Sequence, residues 1–425
     1  MSTIFAPITG RGGAVAVIRL SGPLSLQITE TLAGRLPAAR RAGLRRLRAG
    51  EKGLDEALVT VFPGPESFTG EDVVELSIHG GRAVVMAVSE ALVSLGARPA
   101  EPGEFSRRAF ESGSMDLLQA EALADLIAAE TESQLQQALE GGLHEACLSW
   151  RERLRHLMAQ QEALIDFPDE DLPPEVEAGL CQGIRGLSDE MRASLQAAPA
   201  AERLREGLDF VILGPPNAGK STLLNALAGE DVAIVSDIPG TTRDIVGVRV
   251  DLGGIPVRLT DTAGLRETGD VIEAEGVRRA KARAETADFV ILVAGPGEAF
   301  EAQTGNAGVL RVRTKIDLQA DLEKDEAVLC ISAKTGEGLA ALRARLVAEA
   351  AQLTDRQGAA PLARPRQVAC VRDTIISLDM ALSLEEPELR GEELRGAAQA
   401  LARLAGGIGV EEILDAVFSG FCIGK

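Results

Sequence analysis

The stretch GPPNAGKS, Gly214 to Ser221, limits this chain's fold more than any other. It follows the apolar run Phe210-Val211-Ile212-Leu213 and precedes a helical segment, Thr222 to Leu227. In that strand, loop and helix setting the pattern GxxxxGK[ST] belongs to a parallel α/β sheet. Loop N–H groups and the positive end of the helix cradle a phosphate, Lys220 reaches the β and γ oxygens, and Ser221 ligates Mg2+. Asn217, Ala218, Gly219, Lys220, Ser221 and Thr222 are the candidate phosphate-binding residues.

The neighbouring sequence supplies the rest of such a sheet. Val248 to Thr260 alternates apolar and polar residues about Gly253-Gly254, a glycine pair suited to a tight hairpin turn. Apolar runs at Phe289 to Val293, Val309 to Val312 and Val328 to Ile331 complete a mostly parallel sheet. The stretch from Ala294 to Gly308 is short for a crossing helix and predicts a reduced helix or a loop, with an altered partner-facing surface.

Texture changes on both sides of this block. Residues 1 to about 112 alternate short β-like runs (Ala14 to Leu20, Ala57 to Phe62, Val73 to Ile78) with glycine-rich breaks and a helix, Ala83 to Leu95. From Met115 apolar residues recur at helical spacing, with Ser114 as the expected N-cap. Helical sequence resumes from Gln367. The expected fold is therefore a multidomain α/β plus α protein: an N-terminal α+β domain (1–113), a helical domain in two parts (114–206 and 351–425), and a P-loop α/β domain (207–350) inserted between them. The helical segments before 207 and after 360 are expected to pack together.

The later elements choose the nucleotide. DTAG, Asp261 to Gly264, closes a strand, so that Asp261 can hold Mg2+ through water and Gly264 can offer its N–H to a γ-phosphate; Thr262 and Ala263 lie between them. Thr242 in GTTRD (Gly240 to Asp244) supplies a switch hydroxyl that completes the Mg2+ shell. TKID (Thr314, Lys315, Ile316, Asp317) and SAK (Ser332, Ala333, Lys334) each follow a strand. Asp317 can accept from the N1 and N2 donors of guanine, which adenine does not present, and Lys315 can stack over the base. The usual base-reading motif is NKxD; Thr314 replaces its Asn and removes a side-chain amide that ties the base site to the P-loop, so a weaker affinity is expected.

Composition sets outer limits. The chain has 64 acidic and 44 basic residues, a net charge of -20, which argues against stand-alone nucleic-acid binding because polyanions are held mainly by cations. A nucleic acid held by a partner is left open. The cluster Arg40, Arg41, Arg45, Arg46 and Arg48 reads as a solvated loop face, with RNA contact as the alternative. Tyrosine is absent and Trp150 is the single tryptophan, so stacking platforms for bases are not expected. Five scattered cysteines and three histidines indicate neither a disulfide framework nor a zinc site. No long apolar run or signal peptide is present, and a cytoplasmic protein without a membrane segment is expected.

Taken with GRGG (Gly10 to Gly13), IRLSG (Ile18 to Gly22), FPGPESFTGEDVVEL (Phe62 to Leu76), HGG (His79 to Gly81), PGEFSRRAF (Pro102 to Phe110), DLLQAEALADLI (Asp116 to Ile127), IDFPDED (Ile165 to Asp171) and FCIGK (Phe421 to Lys425), these motifs resemble the MnmE (TrmE) family along essentially the whole chain. The resemblance implies a K+-activated GTPase acting with the FAD protein MnmG on the wobble uridine of certain tRNAs. It implies an aminomethyl or carboxymethylaminomethyl product whose carbon comes from 5,10-methylene-tetrahydrofolate, with 5-formyl-tetrahydrofolate as an analogue. It also implies a homodimer, a heterotetramer with MnmG and tRNA held largely by that partner.

Position by position, the resemblance places K+ against Asn217, Ser236, Ile238 and Thr241 and assigns Glu273 to orient the attacking water, because Leu265 stands where other GTPases carry glutamine. Glu273 as a solvated helix-start residue is the plain alternative. Arg243 is either a finger-like cation or, preferably, a structural or dimer contact. Arg19, Glu75 and Lys425 fall at folate-contact positions, Arg19 having a surface-charge alternative, while Ser114 replaces a family lysine. Cys422 is either a thiolate in one-carbon transfer or a small buried hydrophobe. A ribosome-assembly or signalling GTPase, its N-terminal domain only a dimerisation platform, is the competing function.

Overall fold

A computed structural model describes residues 2–10, 12–166, 174–230, 247–261, 285–300, 308–318, 325, 327–407, 418 and 424. The chain divides into two compact units, residues 1–124 with 399–425, and residues 125–398.

The first unit is built on a six-stranded sheet of β1 (Ile4–Pro7), β2 (Val15–Ser21), β3 (Gly43–Ala49), β4 (Lys52–Phe62), β5 (Val73–His79) and β6 (Arg98–Pro99), in the order β3-β4-β5-β2-β1-β6. Alternation along the strands puts Ile18, Leu20, Leu47, Val59, Leu76 and Ile78 on one face, where α1 (Ser25–Ala33) and α2 (Arg82–Ser94) cover them. Each such side chain contributes about 1.5–3 kcal/mol when fully buried. Behind β1, Ile4 and Ala6 pack with Ala100 and with Phe105 of α3 (Glu104–Glu111).

Two expectations are corrected here. The arginine-rich segment is not a loop: Arg45, Arg46 and Arg48 lie on β3, the edge strand, whose single inward anchor is Leu47. The helix expected from Ser114 is α4 (Leu117–Ala128), and its cap is Asp116. The Asp116 carboxylate accepts from Gln119 N–H at 2.8 Å and the Gln119 side chain accepts from Asp116 N–H at 2.9 Å, a reciprocal capping box. Ser114 instead pairs its hydroxyl with Ser112.

The second unit contains α5 (Glu132–Leu139), α6 (Gly142–Asp166) and α7 (Pro174–Glu206), then the second sheet. Its strands are β7 (Leu208–Leu213), β8 (Gly247–Leu252), β9 (Ile255–Asp261), β10 (Phe289–Ala294), β11 (Gly308–Arg313) and β12 (Val328–Cys330), with α8 (Lys220–Glu230) following β7. The order β12-β11-β10-β7-β9-β8 is parallel except for the β8–β9 hairpin, which turns at Gly253-Gly254 with φ of 68° and 88°. The positive φ at both positions is the type I′ requirement the sequence met. After β12 come α9 (Leu339–Leu353), α10 (Pro365–Ser383) and α11 (Pro387–Leu404). Residues 295–300 form no helix: Gly295 N–H donates to the Glu298 carboxylate at 2.6 Å, and Arg313 donates to Gly295 O at 2.7 Å with its guanidinium 4.6 Å above the Phe300 ring.

The helices before the sheet do pack on those after it. Ser188 donates to Asp379 at 3.1 Å, Arg192 pairs with the same carboxylate, and Arg390 of α11 reaches Glu177 at 2.9 Å. Trp150 is fully buried on α6 with its indole N–H donating to Glu190 at 2.6 Å. Among the described residues no helix is long and apolar enough to cross a membrane. Replacing Trp150 by Ala removes the largest buried side chain of α6 and its hydrogen bond to Glu190. Urea unfolding followed by circular dichroism should show a loss of about 3–5 kcal/mol; a loss under about 1 kcal/mol would show that α6 does not depend on this anchor.

Candidate nucleotide and N-terminal sites

The parallel sheet fixes the first site, because β7, β9 and β11 all end at the same edge and each hands over a motif. Gly214 closes β7 so near β10 that a Cβ there would lie 2.0 Å from the Val293 carbonyl oxygen, which only glycine avoids. The loop then turns through Asn217 in the left-handed region, φ 64°, a conformation asparagine tolerates. Lys220 is 7% exposed, with its ammonium donating to the Gly214 and Pro215 carbonyls at 2.7 and 2.8 Å, which centres the charge over the loop.

Ser221 at the start of α8 donates to the Asp261 carboxylate at the end of β9 at 2.6 Å. Two hard oxygen donors thus meet beside the lysine, a set that suits Mg2+, which takes one or two protein ligands and completes its shell with water and phosphate. Thr242, Thr262, Ala263, Gly264 and Glu273 lie outside the described residues. So do Ser236, Ile238, Thr241 and Arg243, which leaves Asn217 as the described member of the expected K+ set.

Beyond β11, Thr314 is 2% exposed and donates its hydroxyl to Ala218 O at 2.6 Å. The tie to the P-loop expected to be lost with the family asparagine is therefore made by the threonine hydroxyl. Lys315, itself in the left-handed region, φ 56°, reaches across to Asn217 O. Asp317 accepts from Ser332 Oγ at 2.7 Å, and Ser332 N–H donates to Glu337 O at 2.8 Å, so the loop after β12 orients the carboxylate. Ala333 and Lys334 continue that loop, with Lys334 exposed, and Thr222 is exposed on α8. Lys220, Ser221, Asp261, Thr314, Lys315, Asp317 and Ser332 are thus brought together as phosphate-facing and base-facing halves.

Sequence reasoning missed how the hairpin is held. Arg249 on β8 pairs with Glu130 at 2.8 Å, and Ser133 N–H on α5 donates to Gly254 O at 3.0 Å. The hairpin that joins the two candidate switch segments is thereby anchored to the helical part of the same unit. No spacing signals such a contact, because its partners are over a hundred residues apart.

In the first unit, Arg19 and Glu75 sit directly opposite each other on β2 and β5. Arg19 donates from Nε and Nη2 to one carboxylate oxygen, at 3.0 and 2.7 Å, and its guanidinium lies 5.0 Å from the Phe68 ring centroid and 5.9 Å from that of Phe105. A polar network accompanies them: Arg108, 7% exposed, pairs with Glu71 at 2.8 Å and Glu104 at 2.9 Å, and Glu71 also accepts from Ser21. Burial pushes the Glu104 carboxyl up, but its bonds from Arg98, the Glu101 N–H and Arg108 outweigh this and hold it below the usual range. The Ser106 hydroxyl is buried without a hydrogen-bond partner among the described residues. Glu71, Ser106 and Arg108 lie within sequence motifs already quoted, but nothing in the spacing assigns them a role.

Cys422 and Lys425 lie outside the described residues, whereas Phe418 and Gly424 are described. A Cβ on Gly103 would lie 2.3 Å from Phe418 O, and one on Gly424 would lie 2.5 Å from Pro7 O. Both points of the C-terminal tail therefore rest on the N-terminal sheet unit, Gly424 against the end of β1, the strand beside Arg19.

Comparison with known proteins finds relatives along the whole chain. The family model described as "GTP-binding protein TrmE N-terminus" matches residues 3–114, and that described as "MnmE helical domain" matches residues 117–422. A protein of Acidiphilium cryptum named tRNA modification GTPase MnmE is 57% identical over 99% of this chain and 98% of its own. Proteins of the same name from Granulibacter bethesdensis and Rhodospirillum rubrum are 51% and 48% identical, each over 100% of this chain and 99% and 100% of theirs.

Replacing Thr314 by Val keeps the shape and leaves the Ala218 carbonyl without its buried donor, a cost of about 1–3 kcal/mol. Titration with fluorescent GDP should show roughly tenfold weaker binding, on the order of 1.4 kcal/mol, and Thr314→Asn, which restores a donor, should bind like the wild type. Equal affinity for Thr314→Val would show that the tie does not shape the site.

Proposed function

Because the chain belongs to the MnmE family of tRNA modification GTPases, we propose that it hydrolyses GTP in a K+-dependent manner and acts with the flavoprotein MnmG on C5 of the wobble uridine of certain tRNAs. That it is a GTP hydrolase of tRNA modification follows from the family. The observation that carries the finer reading is the convergence of Lys220, the Ser221–Asp261 pair and the Asp317–Ser332 pair at one sheet edge.

In this reading Asp317 selects guanine by accepting from its N1 and N2 donors, while Lys315 covers the base. Lys220 and the loop N–H groups neutralise charge on the β and γ oxygens as the bond to the γ-phosphorus loosens, where electrostatic stabilisation has most effect. Mg2+ and K+, when bound, add positive charge at those same oxygens. Ser221, Asp261 and Thr242 are the residues that would hold Mg2+, and Asn217, Ser236, Ile238 and Thr241 those that would hold K+. Gly264 would offer its N–H to the γ-phosphate and Glu273 would position the water.

We assign the N-terminal sheet unit to folate. Glu75 keeps one carboxylate oxygen beyond its bonds to Arg19, whose guanidinium lies against the Phe68 and Phe105 rings, a combination that fits a flat heteroaromatic ring with N–H donors. The folate, when bound, supplies a one-carbon unit. Lys425 and Cys422 are assigned to the same folate site, and the seating of Gly424, their neighbour in sequence, on β1 supports that reading. The working division is 1–113 for folate binding and dimerisation, 207–350 for GTP, and 114–206 with 351–425 as the helical domain between them, in a cytoplasmic homodimer that assembles with MnmG.

Cycling of the G domains between apart and together states is the use made of hydrolysis, with the γ-phosphate biasing the switch loops. Replacing Glu273 by Ala should abolish phosphate release in K+ while leaving GDP affinity unchanged; undiminished release would discard the assignment. Nucleoside analysis of tRNA from a strain lacking the gene should show loss of 5-substituted wobble uridines, and an unchanged profile would overturn the pathway.

A further inference from the structure

We propose that the β3 edge of the N-terminal sheet, with its two flanking turns, is a docking surface for the phosphate backbone of RNA. The inference rests on the reading of tRNA as substrate and adds to it where this chain touches that substrate. Its first ground is charge: residues 35–52 carry seven cations and one carboxylate, in a chain whose net charge is -20. A solvated surface of an acidic protein needs no such concentration, and like charges held this close repel one another.

The structure gathers these cations on an edge. β3 is the outer strand of its sheet, so its outer backbone groups have no neighbouring strand among the described residues. Arg46 and Arg48 project from one face, and same-face residues on a strand recur about every 6.6 Å, a separation comparable with that of neighbouring phosphates along a nucleic-acid strand. Across the turn at Gly50, Lys52 faces Ala49.

Few of the charges are neutralised. Arg40 pairs with Glu66 at 3.2 Å and Arg46 with Glu56 at 2.6 Å, both pairs exposed. Arg45 is half-buried and donates to Arg35 O at 2.6 Å, which fixes the turn before the strand. Arg35, Arg41, Arg48 and Lys52 are exposed, and their side chains have no hydrogen-bonding or ionic partner among the described residues. Arg40 is moreover held in the left-handed region, φ 59°, where a non-glycine residue costs on the order of 1–3 kcal/mol.

The same surface says what kind of contact is made. Leu44 and Leu58, 62% and 47% exposed, face each other on β3 and β4 of that face, and no aromatic side chain lies on β3. Without rings to stack on bases, recognition falls on phosphate and sugar and is independent of base sequence. An acidic chain can hold RNA this way because the Debye length is about 8 Å at physiological salt, so distant carboxylates are screened from the edge.

The test uses the full-length protein and a fluorescently labelled tRNA transcript, with anisotropy read between about 50 and 200 mM salt, the range over which phosphate contacts show their salt dependence. One variant carries Arg35→Ser, Arg41→Ser, Arg48→Ser and Lys52→Ser; a control carries four exposed arginines elsewhere, Arg151→Ser, Arg185→Ser, Arg311→Ser and Arg372→Ser. The surface variant should bind at least about tenfold more weakly at the lowest salt, and the slope of log K against log salt should shrink by about 3, given roughly 0.7–0.9 per phosphate contact. The control should bind like the wild type, and both should keep the wild-type urea midpoint and K+-stimulated GTPase rate.

A surface variant that binds as the wild type does, a control that weakens as much, or a wild type that fails to bind at the lowest salt overturns the inference. So does a loss seen only with phosphatidylserine vesicles, which would make the surface a membrane contact. None of these outcomes bears on the Glu273 or nucleoside measurements, so failure of the docking surface is distinguishable from failure of the proposed function.

Discussion

A buried hydrogen bond, 2.6 Å long, runs from the Thr314 hydroxyl to the Ala218 carbonyl, and the nucleotide site depends on it. It joins the loop assigned to phosphate to the segment assigned to the base. Those two segments are nearly a hundred residues apart, and only the parallel alignment of β7, β10 and β11 brings them together. Because both groups are buried, the bond cannot be exchanged for water without cost. Lys315 crosses the same gap to Asn217, which places a base-site residue in contact with the residue expected to sense K+. Base recognition and phosphate chemistry are thus one structure.

The N-terminal unit solves a different problem, that of burying charge. Arg19 and Arg108 are drawn into the sheet unit, but each is matched: Arg19 by Glu75 and two aromatic rings, Arg108 by Glu71 and Glu104. Breaking one partner of such a network leaves the other uncompensated, a much larger effect than loss of a surface pair. The β3 edge shows the opposite arrangement, with cations left exposed and largely unmatched. Within one unit, the matched charges are largely buried and the unmatched ones lie on an open surface.

Much of this was legible in the sequence because the relevant signals are local. GPPNAGKS fixed a strand, a loop and a helix at once, and Gly253-Gly254 announced a hairpin whose φ values are positive at both residues. The strands at Val73 and Phe289 were found from short apolar runs. What escaped was non-local or disguised. β3 reads GLRRLRA with a single inward leucine, so its composition hides its pairing with β4. Ser114 looked like a cap, yet Asp116 had the reciprocal partner Gln119 that decides the matter. Thr314 looked like a loss because substitution was judged by residue type, whereas the hydroxyl reaches the same loop. The Arg249–Glu130 pair had no local signal at all.

The central claim, that the Asp317 carboxylate selects guanine at a site assembled by the sheet edge, is most directly tested by reversing that carboxylate's hydrogen-bonding character. Asp317→Asn offers an N–H donor where the wild type offers only acceptors, which suits xanthine, whose C2 carries a carbonyl in place of the amino group. Paired titrations with fluorescent GDP and XDP should show the wild type preferring GDP and the variant preferring XDP. A variant that keeps the wild-type preference for GDP would contradict the account.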